Sequence, residues 1–121
     1  MELEINNKLY TFTFGMAFLR DINKKIETPI EQGSMIKQQI GLKYYLSLLF
    51  DGDLTALVDV LEIANRTSSP RLSAKEIDKY IDLEADTQSL FEAVLEGLAQ
   101  ANATKRVLKQ VQEAVAKAKN K

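Results

Sequence analysis

A mainly α protein that opens with a β-hairpin is the fold class this sequence predicts; two observations carry that prediction, and a third bears on function. Hydrophobic residues alternate with polar ones through Leu3, Ile5, Tyr10, Phe12 and Phe14, on either side of Asn6-Asn7. From Phe14 onward they recur at i+4 intervals, as Phe14, Phe18, Ile22 and Ile26. The change of period marks a short ribbon that feeds an amphipathic helix. The third observation is an absence: the 121 residues include no histidine and no cysteine. The usual nucleophile–base pairs and nitrogen or sulfur metal sites are therefore unavailable, and binding or assembly is favoured over catalysis.

The ribbon takes residues 1–14. Asn6-Asn7 suits a two-residue type I′ turn, in which both central residues need positive φ, because asparagine tolerates that geometry. The register then sets Leu3 opposite Tyr10 and Met1 opposite Phe12, with Glu2, Glu4, Thr11 and Thr13 on the other side. A lone two-stranded ribbon is marginal in water, so its apolar face must lie on the helices or on a neighbouring subunit. Its edges could also pair with a second chain.

About five to six short helices should follow: a helical body over residues 15–101 and a C-terminal amphipathic helix over 102–121, all within a single domain of residues 1–121. The first helix spans residues 15–27 and ends before Pro29, whose ring disfavours helical geometry in the residue before it. A loop takes 28–33. The second helix, 34–50, shows Ile36, Ile40, Tyr44 and Leu48 at i+4, joined by Tyr45, Leu46 and Leu49, and reads as the central one. Asp51-Gly52-Asp53 supplies a left-handed stop at Gly52 and a cap at Asp53. The third helix carries Leu54, Leu57, Val58, Leu61 and Ala64 to about residue 66.

Residues 67–72 (Thr-Ser-Ser-Pro-Arg-Leu) are the most loop-like segment. Ser73 and Glu76 stand three apart as a capping box before Ile77, Tyr80 and Ile81. Asp86 or Thr87 can cap the next helix, whose core stripe is Leu90, Phe91, Val94, Leu95 and Leu98. Asn102 is the expected cap of the last, where Val107, Leu108, Val111 and Val115 line one narrow face.

At 121 residues the chain is long enough to bury about two thirds of its unfolded surface. Its 45% hydrophobic and 27% charged composition is ordinary soluble usage. No apolar run spans a bilayer and the amino terminus lacks a secretion signal, so no membrane association and a cytoplasmic location are expected. The net charge of −1 hides an uneven layout. Residues 51–100 hold eleven acids against four bases, and residues 101–121 hold six bases against Glu113. Such a dipolar chain can steer identical subunits head to tail, or the charges can be an ordinary solvated face.

Two acidic groups are candidates for chemistry: Asp51 with Asp53, and Asp78, Asp82 and Asp86 at i+4 spacing. A helix end, a cap and a solvated face explain them better than a cation or an acid–base pair, because no nucleophile or orienting group stands beside them. No phosphate-cradling glycine motif occurs, so no cofactor and no metal are expected. Nucleic acid is an unfavoured partner, since residues 87–101, the best recognition helix, contain no Lys or Arg. The last helix is the better functional element: it can dock on its own domain, swap onto a neighbour, or meet an amphipathic partner helix. Val107, Leu108, Val111 and Val115 are the candidate partner-binding residues.

Taken together, Glu2-Leu3-Glu4-Ile5-Asn6, the YTFTFGMAFLRDINKK segment from Tyr10 to Lys25, the stretch from Gly41-Leu42-Lys43-Tyr44 to Leu61, and the acidic, aromatic helices from Ile77 to Leu95 carry a resemblance. In their order along nearly the whole chain they resemble the tail assembly chaperones of long-tailed phages of Gram-positive bacteria. The resemblance implies a non-enzymatic protein that coats and solubilises the tape measure protein until tail-tube subunits replace it. It also implies self-association into a ring or spiral, residence in the cytoplasm of the infected host, and absence from the mature virion. A connector retained in the virion and a helical DNA-binding regulator are the alternatives.

Overall fold

Left-handed backbone at Asn6 and Asn7, with φ of 52° and 65°, turns strand β1 (Glu2–Ile5) back onto β2 (Lys8–Thr11) in the computed structural model, which describes residues 1–119. Leu3 pairs with Tyr10, as expected. The ladder extends to Met1, which donates its amino group to the Phe12 carbonyl at 3.2 Å and accepts the Phe12 N–H at 2.8 Å. Tyr10 and Phe12 are buried, and Met1 and Leu3 pack half-buried against the same core. The ribbon's apolar face therefore lies on its own helices.

Helix α1 (Met16–Lys24) follows. Phe14 meets Phe18 edge to face at 5.1 Å, and Phe18 and Ile22 are buried one turn apart. The helix stops three residues short of the expected end at 27, and what comes next corrects the sequence reading. Residues 26–40 are neither the end of one helix nor the start of another. They form a second hairpin, β3 (Glu27–Pro29) against β4 (Lys37–Gln39), with Thr28 opposite Gln38. Backbone bonds from Ile40 N–H to the Ile26 carbonyl (2.9 Å) and from Ile30 N–H to the Ile36 carbonyl (3.0 Å) continue the ladder at both ends.

The expected second helix accordingly begins at Gly41 rather than 34, as α2 (Gly41–Phe50). A Cβ at Gly41 would run into the Ile22 carbonyl, so α2 can start against the end of α1 only with glycine at its first position. The Asn23 side chain accepts the Leu42 N–H at 2.9 Å, serving the free donor that a capping residue would serve. Leu42, Tyr45, Leu46 and Leu49 form the buried face of α2, while Tyr44 is exposed and Leu48 half-buried. The i+4 series from Ile36 to Leu48 is therefore not the core stripe.

The remaining boundaries follow side-chain caps. Gly52 takes φ +77° after α2, and Asp53 caps α3 (Leu54–Asn65) by accepting the Ala56 N–H at 2.8 Å. Ser73 and Glu76 form the capping box of α4 (Ala74–Leu83), and Asp86 caps α5 (Thr87–Gln100). The last helix, α6 (Lys105–Lys119), begins later than the expected 102. A turn precedes it, and Thr104, fully buried, donates its hydroxyl to the Leu98 carbonyl at 2.7 Å, tying the two helices together.

The described residues thus form six helices behind an N-terminal hairpin. Helix α2 packs against α1, α3 and α6, and α3 also touches α1 and α4. One buried asparagine joins segments far apart in sequence. Asn65 donates to the carbonyls of Thr11 (3.0 Å) and Pro70 (3.2 Å) and accepts the Leu72 N–H at 2.6 Å. With the Thr13 N–H to Ala64 carbonyl bond (2.8 Å), it bolts the first hairpin onto the end of α3.

Candidate partner-binding surfaces

The α6 stripe is the first surface to place. Amphipathic spacing puts its four residues on one side of the helix, and that side meets α2 and α5. Leu108 and Val111 are buried, and Val107 and Val115 are half-buried against the core. In this conformation the stripe is an internal seam. Val107, with Leu19, Ile40 and Leu42, lines a partly open cavity of about 270 Å³. The remaining surface of α6 presents Lys105, Arg106, Lys109, Lys117 and Lys119, all exposed.

The second hairpin is the surface that the sequence reading missed. Strand alternation puts Ile30 and Ile36 across from each other at its tip, and they are 55% and 67% exposed. Met35 beside them is 96% exposed. Gly33 at φ +80° and the Ser34 N–H to Glu31 carbonyl bond of 2.9 Å close the turn between them. A β-ribbon arm therefore carries three large apolar side chains into solvent. The signal that could have revealed it is the alternation of Ile26, Thr28 and Ile30 and of Ile36, Gln38 and Ile40, together with Gly33 between them.

A third surface lies between α3 and α4. Leu54 and Val58 on one helix and Ile81 on the other line an open groove of about 470 Å³, together with Asp59, Asp78 and Asp82. Leu54 is exposed, and Val58 and Ile81 are half-buried. Tyr45 donates to Asp59 at 3.0 Å from beneath. Burial first, then the hydrogen bond to Asp59 and that carboxylate's charge, and finally Tyr44, push the Tyr45 phenol up to about 12. On the neighbouring helix Tyr80 is also shifted upward, by burial and then by Glu84.

Two of the five acids weighed for chemistry have structural roles. Asp53 and Asp86 cap helices, and Asp86 also accepts the Ser89 hydroxyl at 3.1 Å. Among the described residues no group of three or more acids could hold a metal ion. No helix of these residues is long and apolar enough to cross a membrane. Apolar and charged side chains are exposed at three places: the β3–β4 arm, the α3–α4 groove and the outer surface of α6.

No curated protein and no solved structure matches the chain significantly. A family model described as phage tail assembly chaperone protein, TAC, matches residues 2–113 of the 121, and the chain therefore belongs to the phage tail assembly chaperone family.

Proposed function

We propose that this protein coats the phage tape measure protein during tail assembly, keeping it soluble until tube subunits take its place. A long helical ruler exposes apolar stripes along its length, and a shield for them must bind reversibly and in many copies. Avidity among weak contacts achieves this where a single tight site would obstruct release. Nothing is turned over, so the function needs surface and no reaction centre.

The observation that carries the reading is the arm of the second hairpin. Ile30, Met35 and Ile36 stand in solvent at the tip of a two-stranded ribbon, and such apolar side chains gain free energy only when a partner covers them. The α6 stripe of Val107, Leu108, Val111 and Val115 is the second partner-binding set. It engages when α6 lifts from α2 and α5, which makes its contacts conditional where those of the arm are standing. The site of action is the cytoplasm of the infected bacterium, and the mature virion lacks the protein.

Co-expression with the tape measure protein tests this. The wild-type chain should bring it into the soluble fraction and co-purify with it. The variant I30S/M35S/I36S should keep its helical signal and most of its thermal stability, because these residues take no part in the core and Ile30 and Ile36 meet only across the ribbon, and should leave most of the tape measure protein insoluble. Equal solubilisation by wild type and variant would remove the arm from the mechanism. A tape measure protein indifferent to both would remove the proposed function.

A further inference from the structure

We propose that the groove between α3 and α4 is a socket for the basic carboxyl-terminal turns of α6 from a second copy of this chain, so that copies add head to tail. The proposal rests on the reading of the protein as a multi-copy coat, and it assigns the surface that builds that coat.

The socket combines apolar and acidic lining. Leu54, Val58 and Ile81 line it, and Asp59, Asp78 and Asp82 border it. Asp78 and Asp82 stand one helical turn apart, a like-charge pair that only Lys75 and Lys79, each three residues earlier on α4, offset within the helix. None of the three aspartates forms an ion pair among the described residues. A groove walled by two helices suits a third helix laid along it.

The plug is the end of α6. Residues 116–119 are all exposed, so no wall of their own subunit covers them. Lys117 and Lys119 lie in the last turn. Ala114 and Ala118, four apart and exposed, give that end a smooth face that lets one helix sit closely between two others. Its apolar surface is modest, so charge sets most of the orientation, by steering the encounter and penalising wrong partners.

A subunit does not fill its own socket. Helix α6 lies on α2 and α5 and contributes nothing to the groove's lining. Plug and socket are thus different patches of one molecule, and such a contact grows into a ring where the rotation closes and a spiral where it does not.

Two charge-reversed variants test the assignment: D78K/D82K, which makes the socket basic, and K117E/K119E, which makes the plug acidic. All four side chains are exposed, and far-UV circular dichroism checks that both variants fold. Sedimentation velocity across protein concentration should show each variant alone associating about tenfold or more weakly than wild type. A one-to-one mixture of the two should recover association, because each socket then meets a plug of opposite charge. Wild-type association should also weaken as salt rises. Reversals that leave association unchanged, or losses that mixing does not restore, overturn this surface while leaving the coat reading intact. A wild-type chain that stays monomeric to about millimolar concentration overturns both.

Discussion

Replacing Asn65 with alanine removes three hydrogen bonds at a position with no solvent exposure. The Leu72 N–H is buried and loses its acceptor, which costs about 1–3 kcal/mol. The Thr11 and Pro70 carbonyls each lose a donor in a part-buried setting, at about 0.5–1 kcal/mol apiece. A total near 3 kcal/mol is expected. With unfolding entropy of ~2.1 cal/mol/K per residue over 121 residues, that becomes a fall in Tm of about 12 °C. The orientation of the amide is fixed by its partners, since a flip would set oxygen against two carbonyls and nitrogen against an N–H. Thermal and urea denaturation followed by far-UV circular dichroism measures the change. The variant N65D adds a sign test: its carboxyl group, buried against two carbonyls, should have a raised folded pKa, so its stability should improve as pH falls toward the ordinary carboxylate range. An N65A variant within about 0.5 kcal/mol of wild type, at the level of an ordinary surface change, would refute the reasoning.

Tyr45 predicts an alkaline transition. Its phenol is held above the usual value of 10.0, at about 12, so the stability it contributes is fully present below pH 10 and is lost as pH rises through 12. Wild type should therefore lose on the order of 1–3 kcal/mol more than Y45F across that interval, and parallel pH–stability profiles would contradict the burial of the phenol and its bond to Asp59 together. For the α6 seam, V111D should destabilise the protein by about 3 kcal/mol or more and V115D by clearly less, because Val111 is buried and Val115 half-buried. Urea denaturation that finds V111D as stable as wild type would mean that α6 does not dock in solution.

What was legible in the sequence was whatever a side chain encodes locally. Asn6-Asn7 specifies its turn, and the starts of α3, α4 and α5 follow from the oxygens of Asp53, Ser73 and Asp86, each within three residues of the N–H it serves. The second hairpin was not legible, because a spacing of four is two strand repeats and also about one helical turn. Ile36 and Ile40 satisfy both periods, and the run continues smoothly into Tyr44 and Leu48. What decides between them is the cross-strand ladder that joins residues 26–30 to 36–40, which ends where Gly41 meets the Ile22 carbonyl and α2 begins. Asn65 was missed for a related reason. An asparagine near a helix end reads as a polar surface residue until its partners 54 residues away and 7 residues away are in place. The amphipathic character of α6 was plain, but a stripe alone does not say which body it closes on.

The Asn65 bolt also sets the order in which a nascent chain can close. Translation delivers Thr11 first, and its partner only 54 residues afterwards, a lag of roughly 3–11 s at ~5–20 residues/s. Throughout that interval Tyr10, Phe12 and Phe14, all destined for the interior, have emerged without the helices that will cover them. Slower elongation over the codons that follow would prolong the vulnerable window, and host factors that hold nascent chains would act on this protein before it can act on any client of its own.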